Sequence, residues 1–433
     1  FCQALDPQTT YFTPFEAKQF LFHVQQSICG IGVQLKDNLN GFLITQILQN
    51  GPPLTKQFLK ENDRIIAVDN KPVIGMDITE AIELIRGKAG SSVEITVMRS
   101  VNEQQEEEKY SFSLKREEIF LQENRLHFFS TPFGNKNIGT IHLLSFFQDK
   151  HTSSSQEIKE AIQKMESQGK LDALILDLRG NGGGLLAEGI QVCSLFMKRG
   201  PIVSTKDNLG KFHRLRNYEP TPFWEGVLVV LIDRSSASCA EIVAQTLQDY
   251  KIALIVGEPS FGNGSYQRFT LVNGEPHKVN ALGEYKVTQG LYYTPSGKSP
   301  QLVGVKPDMY LPCFPSSFEM GEKFTQYPLQ TDQIPPFIED DLSDLSLLQK
   351  LEIESFYFSD RQKELPGYSA FMPILEKNQR LRQEKNNLYH AFYQELSLPK
   401  ETEKGELLYK IDPVFLQTLD ITKDLLLLKK SHP

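Results

Sequence analysis

Long apolar runs, an excess of basic charge and paired cysteines are all missing from this sequence. The longest apolar run, Val227–Ile232, is far shorter than the roughly 18 residues of a membrane-spanning helix, so no transmembrane segment is expected. Lys and Arg total 46 against 54 Asp and Glu, and the net charge of −8 argues against a nucleic-acid partner. The 433 residues, 23 % of them charged and 40 % hydrophobic, are enough for about three globular domains.

Cysteines are few and scattered, at Cys2, Cys29, Cys193, Cys239 and Cys313. They form no C-x-x-C pair, so neither a zinc site nor a disulfide framework is indicated, and buried free thiols are expected. No H-E-x-x-H occurs either, and we expect no metal and no organic cofactor. Because the chain begins at Phe1, without Met and without a basic and then apolar leader, we interpret it as a fragment or a mature chain whose targeting signal would lie upstream.

The residue pattern divides the chain into four predicted blocks. They are an N-terminal helical segment left from a larger region (1–28), a compact block of strands with one helix (29–118), an α/β block (119–313) and a helical C-terminal region (314–433). In the third block, strands predicted at 138–144, 172–178, 227–232 and 252–257 alternate with helices predicted at 156–168, 185–197 and 241–250. This alternation indicates α/β layers with a largely parallel sheet. In the last block, 372–396 is predicted to be one long amphipathic packing helix.

The first motif with chemical potential is Gly30-Ile31-Gly32-Val33, at the start of a predicted strand. Glycines there let backbone N–H groups converge into a nest that suits a peptide's terminal carboxylate, although a plain tight turn is the commoner meaning of such a pair. The context favours a site, because Gly51-Pro52 and then a helix capped by Asp77 follow along the chain. That order, over about 85 residues, resembles a PDZ domain of the bacterial protease type.

The second motif runs from a buried strand through Asp177-Leu178-Arg179-Gly180-Asn181 and three further glycines to Leu185. A dinucleotide fingerprint would need Gly at position 185, and a P-loop would need a Gly-Lys-Ser/Thr sequence that is absent. Two interpretations remain: a backbone N–H donor aimed at an oxyanion, or a tight strand–helix connection without chemistry.

The third motif, Asp233-Arg234-Ser235-Ser236-Ala237-Ser238-Cys239-Ala240-Glu241, opens a predicted helix. A serine at a helix N-terminus lies where partial positive charge favours a developing alkoxide. Serine is equally a preferred N-cap, so capping alone would explain the pattern.

Together these two motifs, with Gly257–Gln267 and Gly304–Asp308 after them, resemble the C-terminal processing, or tail-specific, serine proteases. The segment Asp6–Phe12 also looks like the family's segment ahead of the PDZ-like block, and the stretch from Gly321 onward looks like the longer Gram-negative periplasmic members, so the resemblance covers nearly the whole chain. It implies a multidomain α/β fold: a PDZ-like domain before a serine protease core of the ClpP/crotonase type, then a helical C-terminal region. It also implies a periplasmic location.

The resemblance assigns roles to particular residues. The family's nucleophile segment reads S-A-S-A-S-E-I, and its attacking middle Ser matches Ser238 here, while the third Ser is replaced by Ala240. The N–H groups of Gly184 and Cys239 would hold the oxyanion, with Gly183 as the neighbouring alternative to Gly184.

The family's base is the Lys of F-G-K-G-x-x-Q, and its Gln orients that Lys. Here Gln267 matches the Gln, but Asn263 stands where the Lys should be. Asp249 matches a further family Asp and is interpreted as supporting structure. An Asn amide has no useful basicity, so we expect it only to hydrogen-bond with Ser238 and Gln267 and keep the pocket's shape.

Three explanations of Asn263 stay open: a replacement that traps an inactive form, a natural pseudoprotease, or a substitute base. We favour the first two, because nothing in the spacing singles out one of the available bases, His213, His277, Lys251, Lys278 and Lys298.

The expected function is that of a tail-specific serine endopeptidase scaffold acting on unfolded or misfolded proteins. Their apolar C-terminal tails would bind at Gly30, Ile31, Gly32 and Val33 and reach a tunnel beside Ser238. Ser–Lys dyad chemistry would be lost or strongly impaired by Asn263. The alternative is a non-catalytic, chaperone-like peptide-binding protein. The sequence leaves the oligomeric state open.

Overall fold

The computed structural model of the protein describes residues 2–14, 16–17, 20, 27–48, 51–100, 106–120, 125–207, 209–271, 283–314, 318–396 and 412–431. Two compact units are formed: Gln25–Gln122 is one, and Phe1–Val24 together with Glu123–Pro433 is the other. The smaller unit is therefore inserted near the start of the larger one. The four block boundaries given above stay predictions, and the helix expected near the end of the first block lies largely outside the described residues.

The first strand of the chain, β1 (Thr10–Phe12), belongs to the larger unit. The smaller unit holds the next eight strands and two helices. Its strands are β2 (Ser27–Gly30), β3 (Val33–Asn38), β4 (Gly41–Ile47), β5 (Arg64–Val68), β6 (Lys71–Pro72), β7 (Ser92–Ser100), β8 (Glu107–Lys115) and β9 (Glu117–Phe120). Its helices are α1 (Pro53–Phe58) and α2 (Ile78–Ile85). The sheet order is β3-β4-β5-β7-β8, with β6 beside β5, while β2 pairs with β9. Strand β3 is therefore an edge strand.

Helix α2 is held at both ends by side chains. Asp77 caps its start by accepting the N–H of Thr79 at 2.8 Å, which confirms the predicted cap. The buried Arg116 donates to the carbonyls of Leu84 and Ile85 at 2.9 and 2.8 Å. These carbonyls lack partners within the helix, and a cation at a helix C-terminus also complements the helix dipole. Helix α2 is thus fixed at both of its ends.

The larger unit is built on a six-stranded sheet in the order β10-β11-β12-β15-β16-β19. Its strands are β10 (Leu126–Phe133), β11 (Lys136–Leu143), β12 (Ala173–Asp177), β15 (Val227–Ile232), β16 (Ala253–Gly257) and β19 (Met309–Tyr310). All neighbours are parallel except the β10–β11 pair. The predicted strands of the third block are confirmed, and the largely parallel sheet with them. Their continuous apolar runs follow from burial on both faces.

Alternate residues of these strands feed two separate apolar cores. Leu174, Leu176, Val230 and Ile255 belong to the core that contains residues of α3 (Ser154–Gln168), α4 (Leu186–Ser194) and α5 (Cys239–Asp249). Ala173, Ile175, Val229 and Leu254 belong to the opposite core. That second core contains Leu375 of α7 (Met372–Lys385) and Leu419 and Leu425 of α9 (Pro413–Ser431). The final helix therefore covers one face of the sheet.

A second, antiparallel sheet has the order β1-β18-β13-β14, and β17 also pairs with β18. The added strands are β13 (Gly200–Asp207), β14 (Phe212–Asn217), β17 (Ser265–Leu271) and β18 (Glu284–Tyr293). The N-terminal segment is tied to β18 by Asp6, whose carboxylate accepts the Thr288 hydroxyl at 2.8 Å.

The C-terminal region adds α6 (Leu347–Tyr357), α7 and α8 (Asn387–Leu396) before α9. The single helix predicted over 372–396 is wrong, because Asn386 is extended (φ −94°, ψ 112°) and separates α7 from α8. Its side chain then accepts the N–H of Leu388 at 2.9 Å and starts the second helix. No helix among the described residues is both long enough and apolar enough to span a membrane.

Candidate active site

The candidate nucleophile, Ser238, lies where strand β15 turns into helix α5. Residues 233–238, the nucleophile turn, are folded around the carboxylate of Asp233, which accepts the backbone N–H groups of Ser235 and Ser236 at 2.9 and 3.1 Å. Ser238 itself is the N-cap of α5 and adopts φ 55°, ψ −115°. A non-glycine residue in this conformation is strained, and such strain persists only where the surroundings enforce it. The half-buried Ser238 is therefore held in place by its turn.

The turn between β12 and α4, residues 178–184 (the glycine turn), lies directly against Ser238. A Cβ atom on Gly183, which has φ +102°, would be 2.7 Å from the Cβ of Ser238. Real Cβ atoms do not approach that closely, so only glycine fits there. The two turns are also joined by the N–H of Ala237, which donates to the carbonyl of Asn181 at 2.9 Å.

Two backbone N–H groups beside Ser238 have no hydrogen-bond acceptor in the part of the chain that the structure describes. The N–H of Gly183 donates to Asn181 Oδ1 at 2.8 Å. In contrast, the N–H groups of Gly184 and Cys239 make no hydrogen bond among the described residues, and Gly184 is exposed. The thiol of Cys239 donates to the carbonyl of Gly184 at 3.4 Å, so the two residues are adjacent. This arrangement favours Gly184 over Gly183 as an oxyanion donor.

Glu241, one turn into α5, binds the nucleophile turn to the segment that follows β16. This carboxylate has no solvent exposure. It accepts the N–H groups of Ser238, Gly262 and Asn263 at 2.9, 2.7 and 2.9 Å and the hydroxyl of Ser260 at 2.6 Å. Burial raises the pKa of Glu241 to about 7, although these four donors act in the opposite direction.

Asn263 lies in residues 261–265, the base loop, and its side chain serves that loop. Its Oδ1 accepts the hydroxyl of Ser265 at 3.1 Å, and the same hydroxyl accepts Nε2 of Gln267 at 2.8 Å. The expected hydrogen bonds from Asn263 to Ser238 and Gln267 are therefore wrong: Ser265 lies between Asn263 and Gln267, and no bond to Ser238 forms among the described residues. The short Asn side chain reaches its own backbone instead, as in an Asx turn.

The base loop and the nucleophile turn are also joined by Tyr292 of β18. Its buried hydroxyl lies 2.7 Å from the carbonyl oxygen of Asn263 and 3.1 Å from that of Ser238. Burial, together with the nearby Glu241, raises the pKa of Tyr292 well above its usual value, so the hydroxyl remains a donor. Glu241 and Tyr292 thus hold the nucleophile and the candidate base position at a fixed spacing.

The alternative bases lie elsewhere in the described part of the chain. Lys251 forms an ion pair with Glu364 at 2.6 Å, His213 is exposed on β14, and Lys298 is exposed after β18. His277 and Lys278 lie outside the described residues. No lysine or histidine in those described ranges hydrogen-bonds with Ser238.

Two further residues have structural explanations. Burial raises the pKa of Cys239 to about 12, so it remains a thiol and is not a nucleophile at neutral pH. Asp249 accepts the Thr294 hydroxyl at 2.6 Å and the Ser296 N–H at 2.9 Å, which fixes the turn after β18.

In the smaller unit, Gly30 ends β2, Val33 begins β3, and Ile31 and Gly32 form the turn between them. The N–H groups of Ile31 and Gly32 make no hydrogen bond within the described ranges. Gly32 has φ +74°, and a Cβ there would be 2.7 Å from the Cα of Gly51, so this position requires glycine. Unused N–H groups therefore lie at the start of an edge strand.

The family relationship agrees with these arrangements. The profile of Peptidase family S41 matches residues 137–311, and that of the PDZ domain matches residues 19–98. These two domains, in this order, are those of the C-terminal processing, or tail-specific, proteases that carry a PDZ domain, which the chain resembles. The order predicted from the sequence, a PDZ domain ahead of an α/β peptidase core with a helical C-terminal region, is confirmed.

Three curated relatives illustrate the similarity. The tail-specific protease of Haemophilus influenzae is 30 % identical over 341 residues, which are 77 % of this chain and 48 % of that protein. The carboxy-terminal-processing protease of Bartonella bacilliformis is 29 % identical, over 71 % of this chain and 66 % of that protein. For carboxy-terminal processing protease CtpA of Bacillus subtilis the identity is 29 %, over 70 % of this chain and 62 % of that protein. The chain thus spans about half to two thirds of these relatives.

Sequence reasoning missed Glu241 and Tyr292. Glu241 had a local signal, because a Glu three residues after a capping Ser is the capping-box pattern. Tyr292 is 54 residues from Ser238 and has no such signal.

Proposed function

We propose that this chain is a tail-specific serine endopeptidase scaffold that binds apolar C-terminal tails of unfolded or misfolded proteins, and that Asn263 leaves it inactive or strongly impaired in cleavage. The observation that carries the proposal is the contact between Ser238 and the glycine turn, next to the unused N–H groups of Gly184 and Cys239. A strained serine beside two free backbone donors is the arrangement that acyl transfer requires.

In the proposed reaction, the Ser238 hydroxyl oxygen attacks the scissile carbonyl carbon while a neutral lysine at position 263 accepts its proton. The carbonyl oxygen becomes an oxyanion that accepts hydrogen bonds from Gly184 and Cys239. The C–N bond then breaks, the lysine returns the proton to the leaving amine, and water releases the acyl group from Ser238. Asn263 cannot accept that proton, and loss of a base costs about 10⁴-fold or more in rate.

The experiment restores the base. The Asn263→Lys variant, the Asn263→Met variant and the unaltered chain are incubated with an unfolded protein that ends in apolar residues, and products are identified by mass spectrometry. Methionine is similar to lysine in length but has no amine. We expect cleavage by Asn263→Lys alone and none after Ser238→Ala is added to it. Failure of the lysine variant to cut a substrate that it binds would contradict the proposal.

Tail binding is assigned to the edge of β3 in the PDZ domain. Strand β3 has no neighbour on its outer side within the described sheet, so a peptide can add there as a further strand. Val33 and Leu35 of β3 and Ile78 of α2 are half-buried apolar residues, which suits apolar tails. The N–H groups of Ile31, Gly32 and Val33 would receive the terminal carboxylate.

Blocking the peptide's carboxylate as an amide should weaken binding about ten-fold or more, because charge-assisted hydrogen bonds contribute roughly 1.5–3 kcal/mol. Gly32→Ala should weaken binding of the peptide with a free carboxylate by a similar factor. Gly75→Ala is the matched control, because Gly75 has the same φ of +74° but nothing within 4 Å of the added Cβ. Equal affinity for acid and amide would exclude the carboxylate nest.

A second function, a peptide-binding pseudoprotease with a chaperone-like role, is favoured by Asn263 itself. It predicts tail binding as well, so only the lysine variant separates the two. The periplasm is the proposed compartment on the family resemblance, and fractionation of cells that make the protein tests it.

A further inference from the structure

Arg179, two residues after the end of β12, is held between two carboxylates. Its Nη2 lies 2.6 Å from Oδ2 of Asp177 and 2.6 Å from Oδ2 of Asp412, and its Nη1 donates to Oδ1 of Asp412 at 3.1 Å. Two-point contacts of this kind fix the plane of a guanidinium as well as its position. Asp412 comes from a distant part of the chain, 233 residues further on.

The backbone of Arg179 belongs to the glycine turn. The carbonyl of Arg179 lies 3.1 Å from Nε2 of His142, and the N–H of the next residue, Gly180, donates to the hydroxyl of Ser235 at 3.1 Å. A displacement of Arg179 would therefore also displace the residues that follow it in the glycine turn, up to Gly184.

Asp412 in turn marks the start of the final helix. Its Oδ1 accepts the N–H of Phe415 at 2.9 Å, which caps α9. Helix α9 covers one face of the central sheet through Leu419 and Leu425. It lies outside the part of the chain that matches the peptidase profile, which ends at residue 311. The C-terminal region is thus connected to the glycine turn by one ion pair.

We propose that Asp412 is a positioning residue for the oxyanion donors: by fixing Arg179 from the far side, the docked final helix sets the glycine turn that presents the Gly184 N–H to the substrate. The catalytic part of this inference rests on the function proposed above. Its structural part, the connection between residue 412 and the glycine turn, does not.

The first test needs no activity. Asp412→Asn removes the charge that pairs with Arg179 but keeps a good N-cap for α9. The control is Asp424→Asn on the same helix, which removes a comparable ion pair with Arg382 at 2.6 Å. Both variants are made in the chain that keeps Asn263. Hydrogen exchange of the backbone amides of residues 178–184 should be at least several-fold faster in Asp412→Asn than in the parent, and unchanged in Asp424→Asn. Unchanged exchange there, or an equal change in the control, would overturn the inference.

The second test uses the Asn263→Lys background. We expect Asp412→Asn to lower kcat about ten-fold with little change in KM, and Asp412→Glu to recover part of the loss. Asp424→Asn should leave both constants near those of the parent. A loss of thermal stability with unchanged kcat would refute the positioning role. If the parent Asn263→Lys variant does not cut at all, the proposed function has failed, and the exchange experiment still decides the connection to Arg179.

Discussion

Replacement of Glu241 by Gln gives a stability change whose pH dependence can be worked out from the structure. The carboxylate is fully buried, and its pKa is about 7 in the folded chain against an ordinary value near 4.5. Between these two values the folded state holds a proton that the unfolded state has lost, so this group's contribution to stability falls as pH rises. At about 1.4 kcal/mol per pH unit, the whole gap amounts to roughly 3 kcal/mol.

Glutamine keeps the size of Glu241 but cannot titrate. Its amide nitrogen must also face at least one of the donors that now meet the carboxylate, at a pH-independent cost of about 1–3 kcal/mol. The advantage of the parent over Glu241→Gln should therefore shrink by about 2–3 kcal/mol between pH 5 and pH 8. Glu166 is exposed, so Glu166→Gln is the control. Its free energy of unfolding should differ from that of the parent by the same amount at every pH.

The measurement is denaturant unfolding followed by tryptophan fluorescence. The chain has one tryptophan, Trp224, which is 6 % exposed and packs edge-on against Phe196 in the larger unit. The signal thus reports the protease core and not the PDZ domain. If the difference in free energy of unfolding between the parent and Glu241→Gln stays constant with pH, the pKa of Glu241 is not raised. An advantage of the parent that grows with pH would show that its four donors outweigh burial.

Three further changes test the same architecture by tryptophan fluorescence. Gly183→Ala should destabilise the core by more than 1 kcal/mol, because the new Cβ would meet Ser238 at 2.7 Å, whereas Gly182→Ala, with nothing within 4 Å, should not. Tyr292→Phe removes the hydroxyl that joins the nucleophile turn to the base loop and should cost about 1–3 kcal/mol; an unchanged midpoint would contradict that connection. Arg216→Met removes the buried guanidinium that pairs with Asp340 at 2.6 Å and with Asp344, and should cost about 3–5 kcal/mol even though Arg214 still pairs with Asp340; a cost below 1 kcal/mol would show that Arg216 is not needed.

Local patterns predicted the elements of the core well, because burial and capping act over a few residues. The strand at 227–232 has its predicted bounds, and the predicted helix at 156–168 begins only two residues earlier, at Ser154. The break at Asn386 was missed because its decisive feature is the backbone conformation of one residue, which the residue pattern does not show.

The site was predictable only in part. Ser238 and the glycine turn were brought together only by the family resemblance; in the structure both follow adjacent parallel strands, whose carboxyl ends meet at one edge of a sheet. The choice between Gly183 and Gly184 depended on which N–H the side chain of Asn181 occupies, and local pattern does not encode that. The pairing of Arg179 with Asp412 joins residues 233 positions apart, so only the assembled fold reveals it.

The structure holds residue 263 through its backbone, which is compatible with the proposal that Asn263 replaces a lysine without loss of the scaffold. Glu241 accepts the backbone N–H of residue 263, and Tyr292 donates to its backbone carbonyl. Both groups are supplied by any residue except proline, which lacks the N–H. Among the described residues, the Asn263 side chain hydrogen-bonds only with Ser265 of its own loop. Binding and nucleophile geometry are therefore separable from the base, and a change at this position should alter chemistry far more than fold.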